Sequence, residues 1–167
     1  MIQERVQVRY NTIECSGYYR MGLTCHSDYR RAKPGQFVML SVGDGPTPLL
    51  RRPFSIHRLL SQEAGKATMA LLYKIVGEGT SRMARLPVGA TVDILGPLGQ
   101  GFTLQKDHRR IYLAAGGIGA APMVFLLETL RHQSSQGEYH VFLGGRSRED
   151  LLCREVFEDL AHKVHYT

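Results

Sequence analysis

The stretch that decides the fold is Ile111-Tyr112-Leu113-Ala114-Ala115-Gly116-Gly117-Ile118-Gly119-Ala120-Ala121-Pro122. Its first five residues form an apolar run of the kind found in parallel strands that are buried on both faces. Glycines follow, and Pro122 suits the first turn of a helix. Apolar residues on one face then predict a helix over 123–132. A strand, a glycine loop and a helix in this order predict the opening of a parallel α/β sheet.

Toward the C-terminus the same alternation continues. A second strand is predicted at 139–143, a second helix at 149–161 and the start of a third strand at 163–166. Nucleotide-binding sheets of this class have about five or six strands. We therefore expect residues 101–167 to form an incomplete nucleotide-binding domain without its C-terminal strands. Two helices on three strands would leave one apolar face uncovered, for a partner or further chain to cover.

Toward the N-terminus, residues 1–100 have a different character. Short alternating strands separated by glycine and proline turns predict a small antiparallel barrel or sandwich, with one short helix over 81–86. The glycine- and proline-rich stretch 96–101 is the predicted boundary. The fold class is thus two-domain: a small antiparallel β-barrel followed by a partial α/β parallel-sheet domain.

Bulk properties narrow the class of protein. The 167 residues carry a formal net charge of +6. A basic chain is compatible with nucleic acid, a phosphate-bearing cofactor or an acidic partner. No Lys/Arg run or helix-turn-helix signature is present, so we expect no nucleic-acid binding. No apolar run is long enough to span a membrane and no signal peptide begins the chain, so we expect a cytoplasmic location without membrane insertion.

The cysteines and histidines predict no metal site. Cys15, Cys25 and Cys153 are too far apart for a disulfide framework, a zinc site or an iron–sulfur cluster, and each is expected to be a small buried residue. The seven histidines show no metal-ligand spacing and are expected to lie at the surface or in packed regions. His57 has no visible partner for a catalytic triad, and nothing in the sequence favours hydrolysis.

Arg52, Pro53, Phe54 and Ser55 form a candidate ligand-binding strand. Arginine can donate two hydrogen bonds to a phosphate, and proline suits a strand start or an edge strand. In an extended segment Arg52 and Phe54 share one face and Ser55 takes the other. The strand could hold an anionic, partly aromatic ligand, or be an edge strand with a solvated arginine.

Three glycine-containing turns are further candidates. Gly79 and Thr80 link a strand to a short helix and could offer N–H and hydroxyl donors to a phosphate. The loop 116–119 precedes a helix N-terminus, where backbone N–H groups and the helix dipole favour a pyrophosphate, although Pro122 stands where the dinucleotide fingerprint has its third glycine. Arg146 follows the next strand, where an acid would bind the NAD ribose, and favours a 2′-phosphate or a different dinucleotide pose. Ligand-free turns remain the alternative.

These motifs, taken in order with Gly96-Pro97-Leu98-Gly99, resemble the ferredoxin–NADP reductase superfamily over essentially the whole chain. Within it, the chain is most similar to the electron-transfer subunits of dihydroorotate dehydrogenase B. The resemblance implies a set of FAD-binding residues: Arg52, Pro53, Phe54, Ser55, Leu72, Tyr73, Lys74, Gly79 and Thr80. It also implies that NAD(P) is bound by Gly116, Gly117, Gly119 and Arg146. The usual electron donor of such subunits is NADH, and no side chain is assigned a catalytic role.

The resemblance further implies what the protein does. Electrons would pass from NADH through FAD to a [2Fe–2S] cluster and a partner dihydroorotate dehydrogenase catalytic subunit, in a heterotetramer serving pyrimidine biosynthesis. The cluster cysteines of that subfamily are absent here, so truncation of the chain is expected. The alternatives are a different reductase subunit, such as a ferredoxin- or hydrogenase-linked one, and a non-catalytic FAD-binding module.

Overall fold

The computed structural model describes residues 1–15, 17–42, 50–61, 66–103, 109–133 and 137–167. Six antiparallel strands close into a barrel in the order β1-β2-β5-β4-β3-β6. They are β1 (Ile2–Cys15), β2 (Tyr18–His26), β3 (Phe37–Val42), β4 (Arg52–Ser61), β5 (Lys66–Lys74) and β6 (Thr91–Leu98). Helix α1 (Glu78–Ala84) follows β5. Alternating side chains fill the barrel, because successive residues of a strand point to opposite faces.

A three-stranded parallel sheet follows the barrel, in the order β7-β8-β9. Its elements are β7 (Arg110–Gly116), α2 (Ala120–Gln133), β8 (Glu138–Gly144), α3 (Arg154–Leu160) and β9 (Lys163–Tyr166). The two-domain fold class is therefore confirmed: a closed antiparallel barrel precedes a parallel sheet with helices.

Two predicted helices need correction, and strand β6 reaches Leu98, inside the stretch 96–101 that is predicted as the domain boundary. Helix α1 begins at Glu78, earlier than predicted, so Gly79 and Thr80 belong to its first turn. The helix predicted over 149–161 is divided: a 3₁₀ turn covers Arg148–Asp150, and α3 begins only at Arg154. Cys153 lies between them with φ 58°, in the left-handed region that ends or interrupts a right-handed helix.

Side chains from the barrel and from the parallel-sheet half pack into each other's cores. Phe125 of α2 packs into the core of the barrel. Tyr18 and Leu72, from β2 and β5, pack in turn into the second core, beneath α2 and the sheet. Because each core contains side chains from the other half, the position of the parallel sheet relative to the barrel is set by packing of apolar surface.

One face of the parallel sheet β7-β8-β9 carries aromatic and imidazole rings. Tyr112 is 60% exposed and Phe142 is 39% exposed. Phe142 stacks on His165 with ring centroids 4.5 Å apart, and His140 lies between Tyr112 and His165. Among the described residues, α2 and α3 cover only the opposite face. The sequence predicts an uncovered apolar face, and this one carries both aromatic and polar rings.

Candidate functional site

Strand β4 presents the Arg52–Ser55 motif in a closed barrel instead of on a sheet edge. Over this stretch β4 pairs with β3, with Pro53 opposite Met39 and Ser55 opposite Phe37. Pairing with β5 begins only at Ile56. The lack of an N–H on Pro53 is therefore tolerated, because this part of the strand is hydrogen-bonded on one side. Residues 52–55 are therefore unpaired on the side of β5, which makes a gap in the ladder between β4 and β5.

Arg52 and Gly79 meet at this gap. A Cβ on Gly79 would lie 2.4 Å from both Cζ and Nε of Arg52, so the guanidinium rests on the bare backbone of the turn. One guanidinium N–H donates to the carbonyl oxygen of Leu50 at 2.9 Å. The remaining donors lie beside the first turn of α1. A guanidinium next to a helix start is a donor set that fits a pyrophosphate.

Thr80 shapes this turn with its side chain. Its hydroxyl accepts hydrogen bonds from the backbone N–H groups of Val76 and Gly77, at 2.9 and 3.2 Å, and donates to the carbonyl oxygen of Gly77 at 3.0 Å. A hydroxyl has one donor and two acceptor positions, and all three are used. Thr80 therefore has its backbone N–H, and not its hydroxyl, to offer a phosphate.

The three predicted residues at the end of β5 point to different places. Tyr73 is buried in the barrel, where its hydroxyl donates to Asn11 Oδ1 at 3.0 Å and its ring meets that of Phe54 edge to face. Burial raises its pKa, so it stays protonated. Leu72 packs into the second core. Lys74 Nζ donates to the hydroxyl of Tyr18 at 2.9 Å. Only backbone atoms of Leu72 and Tyr73 remain to line a ligand.

The glycine loop lies at the carboxyl end of β7. Gly116 ends the strand, Gly117–Gly119 form a 3₁₀ turn, and α2 begins at Ala120. Gly117 has φ +50°, a conformation that glycine adopts without strain, and a Cβ on Gly119 would meet nothing within 4 Å. The N–H of Ala120 already donates to the carbonyl oxygens of Gly117 and Ile118, so a ligand would approach the bare glycine backbone before the 14-residue helix.

Arg146 lies at the end of the neighbouring strand, on an exposed bend after β8. Two carboxylates follow it in the 3₁₀ turn, Glu149 and Asp150. Hydrogen bonding to the Ser147 side chain lowers the pKa of Glu149, and the hydroxyl of Tyr18 lowers that of Asp150. The sequence predicts a positive loop at Arg146, whereas the folded loop presents charges of both signs.

His57, predicted as a surface or packing residue, connects the barrel to helix α2. It lies on β4 two positions after Ser55 and is 1% exposed. Its Nδ1 donates to the carbonyl oxygen of Ala121, in the first turn of α2, at 2.8 Å. On the next residue, Arg58 pairs with Glu128 of α2 at 2.6 Å. Strand β4, which begins with the Arg52–Ser55 motif, is therefore also bonded to α2, the helix that follows the glycine loop.

Comparisons with known proteins agree with this architecture. Residues 113–166 match the family model of the oxidoreductase NAD-binding domain. In fold, the chain is similar to an NADH-dependent reduced ferredoxin-NADP oxidoreductase, with TM-score 0.81, 21% identity, and coverage of 96% of this chain and 56% of the other. Phthalate dioxygenase reductase is similar with TM-score 0.74 and 20% identity, over 98% of this chain and 51% of the other.

Curated relatives give the sequence-level match. An electron transfer subunit of dihydroorotate dehydrogenase B (NAD(+)) from Desulforamulus reducens is 42% identical over 135 residues, covering 81% of this chain and 50% of the relative. The barrel followed by a parallel sheet is thus the fold of the two reductase structures named above. The subunit of the same name from Fusobacterium nucleatum subsp. nucleatum is 32% identical over 161 residues, covering 94% of this chain and 57% of the relative.

The chain spans about half the length of the curated relatives it matches. The matched NAD-binding region begins at Leu113, inside β7, and includes the glycine loop and Arg146. Arg52 and Gly79 lie before it, in the barrel half. The assignment of individual residues to FAD and NAD(P) remains a prediction. Within the described residues, no helix is long and apolar enough to cross a membrane.

Proposed function

We propose that the protein is an FAD- and NADH-dependent oxidoreductase component that carries electrons for a dihydroorotate dehydrogenase. The observation that carries the proposal is the contact between Arg52 and Gly79, which creates a cationic cradle from two distant motifs. That cradle fits a pyrophosphate, and the curated relatives named above are electron transfer subunits of dihydroorotate dehydrogenase B. Bound FAD would supply the redox chemistry, by accepting a hydride from NADH and releasing electrons singly.

The residues of this chain would hold and orient the cofactors. Arg52 and the backbone N–H groups of Gly79 and Thr80 would balance the pyrophosphate charge. Phe54 and Ser55, on the part of β4 not paired with β5, would lie along the isoalloxazine side. Gly116, Gly117 and Gly119 would admit the dinucleotide close to the backbone, with Arg146 at its rim. FAD, NAD(H) and these residue assignments are parts of the proposal.

A [2Fe–2S] cluster does not fit the cysteines present. The sequence has three, Cys15, Cys25 and Cys153, and all are free. Cys25 and Cys153 are buried in separate cores. A cluster of this kind needs four ligands in one place. No electron step through a cluster is therefore assigned to the residues of this chain.

The proposed partner is a dihydroorotate dehydrogenase catalytic subunit, with a heterotetramer as the proposed assembly and the cytoplasm as its location. Support for the partner comes from the names of the relatives. Mixing the chain with such a subunit, dihydroorotate and NAD⁺ tests it directly. Formation of NADH and orotate only when both proteins are present supports the pairing, and equal formation without this chain contradicts it.

The decisive experiment is reconstitution with FAD. The purified chain is mixed with FAD, desalted, and its visible spectrum recorded before and after anaerobic addition of NADH. We expect a yellow protein that NADH bleaches, and Arg52→Ala should lower FAD affinity on the order of tenfold or more, because a charge-assisted hydrogen bond is lost. A colourless protein contradicts the proposal. Retained FAD that NADH does not bleach favours the non-catalytic binding module.

A further inference from the structure

Tyr18 stands at the junction of the two halves. It is the first residue of β2 and follows Gly17, which has φ +77°. The carbonyl oxygen of Gly17 accepts a hydrogen bond from the N–H of Ile75 at 2.9 Å, which fixes this turn to the end of β5. Tyr18 is 3% exposed and its ring packs in the second core, beneath the parallel sheet. A barrel residue thus has its side chain in the nucleotide-binding half.

The hydroxyl of Tyr18 is the centre of a three-membered network. It donates to Asp150 Oδ1 at 2.6 Å and accepts from Lys74 Nζ at 2.9 Å. Lys74 also approaches Asp150, at 3.6 Å, and lies 4.6 Å from the centroid of the Tyr18 ring. Burial and the bond to Asp150 raise the pKa of Tyr18, so the phenol remains a donor. Hydrogen bonds to charged groups are among the stronger ones in proteins.

The network adjoins both halves of the proposed cofactor site. Lys74 ends β5, a few residues before the turn that contains Gly79. Asp150 closes the 3₁₀ turn that follows Arg146. The hydroxyl of Tyr18 itself lies 3.8 Å from the position that a Cβ on Gly117 would occupy. Movement of this hydroxyl would therefore shift both the glycine loop and the loop that contains Arg146.

We propose that Tyr18 is a positioning residue. Through its bonds to Lys74 and Asp150 it holds the glycine loop and the Asp150 turn at a defined distance from the β-barrel. The inference rests on the proposed function, because the two loops and the barrel are the places where NADH and FAD would bind. A displacement of about 1 Å between reacting groups can slow a reaction on the order of a hundredfold. Tyr18 would act through these segments and not by touching a cofactor.

The first test measures the loop without any cofactor. The N–H of Ala120 donates to the carbonyl oxygens of Gly117 and Ile118, so amide hydrogen exchange at Ala120 reports whether the glycine loop is held. Tyr18→Phe removes only the hydroxyl, and Asp150→Ala removes its acceptor. We expect each variant to speed exchange over 116–121 by about tenfold, as the loss of one charge-assisted bond implies.

Three further variants give the controls. The double variant Y18F/D150A should exchange less fast than the two single effects combined would give, because both variants remove the bond between Tyr18 and Asp150. Asp150→Asn keeps an acceptor oxygen without the charge, so its exchange should fall between that of the parent chain and that of Asp150→Ala. Tyr19→Phe removes a hydroxyl from the next residue, whose ring stacks on Tyr73 within the barrel, and should leave 116–121 unchanged. Unchanged exchange in Y18F, or faster exchange spread through the barrel strands, overturns the inference.

The second test uses the FAD-loaded chain. The dissociation constant for FAD should be the same in Y18F and the parent, whereas the rate at which NADH bleaches the flavin should fall by about tenfold or more. Equal bleaching rates with faster loop exchange would make Tyr18 merely structural and overturn the inference. A parent chain that binds no FAD, or is not bleached, contradicts the proposed function instead, and the exchange data still decide whether Tyr18 holds the loop.

Discussion

The guanidinium of Arg52 rests on the backbone of Gly79, where a Cβ would fall 2.4 Å from its Cζ. Glycine is therefore required at this position because the guanidinium of Arg52 approaches its backbone closely, and not because of an unusual backbone angle. The contact joins the start of β4 to the first turn of α1. It assembles the proposed pyrophosphate cradle from a strand and a helix that are separate in the sequence.

Gly79→Ala should weaken FAD binding without unfolding the protein. The arginine side chain is flexible and can swing away from the new methyl group, so we expect the free energy of unfolding to change by less than about 1 kcal/mol. FAD affinity, measured by fluorescence titration, should fall about tenfold because the guanidinium is displaced. Gly77→Ala is the matched control, since a Cβ there meets nothing within 4 Å. Equal FAD affinity in G79A and the parent would show that Arg52 does not bind the cofactor.

Thr80→Val should destabilise the protein through the turn that its hydroxyl organises. Removing the hydroxyl leaves the N–H groups of Val76 and Gly77 without their acceptor, which should cost about 1–3 kcal/mol in urea unfolding. Thr80→Ser should retain most of the stability. Thr68→Val is a control of the same chemistry: its buried hydroxyl has no hydrogen-bond partner among the described residues, so its removal should be neutral or stabilising. Equal losses in T80V and T68V would contradict this account.

His57 should make stability depend on pH. Burial lowers its pKa to about 4 from the ordinary 6.5, so between these values the unfolded chain binds a proton that the folded chain does not. Stability is then fully present above pH 6.5 and declines as the pH falls toward 4, by up to about 3 kcal/mol from this group. Urea unfolding at several pH values measures it.

The matched variant for this prediction is His57→Asn. Its amide nitrogen can still donate to the carbonyl oxygen of Ala121, but it does not titrate. We expect lower stability at neutral pH, because ring packing is lost, with a shallower decline between pH 6.5 and 4. A decline as steep as that of the parent would assign the pH dependence to other groups.

The cysteines should differ sharply in reactivity. Burial raises the pKa of Cys25 and of Cys153 to about 12, so their thiolates are scarce at pH 8. Cys15 is partly exposed, and burial also raises its pKa. Titration of the native chain with a thiol-reactive dye should show one slow thiol, absent in Cys15→Ser, and three only after unfolding. Two or more fast thiols in the native chain would contradict the described burial.

Local patterns in the sequence were sufficient for the order and type of the elements. The period of two in β1 and β2, and the apolar run of β7, are set by which faces are buried, and this information is local. The helix predicted over 149–161 was wrong at its start because Cys153 adopts a left-handed conformation that its residue type does not signal. Cys15 was expected to be buried, yet it lies at the end of β1 and is partly exposed.

The sequence by itself determined the two-part architecture and the motifs proposed to bind cofactors, since strand periodicity and glycine turns depend on neighbouring residues alone. Only the tertiary structure decided which motifs meet. The contacts of Arg52 with Gly79, His57 with Ala121 and Tyr18 with Asp150 each join elements far apart in the chain. They depend on barrel closure and on the docking of α2 against β4, which are set by the packing of two cores and leave no local pattern.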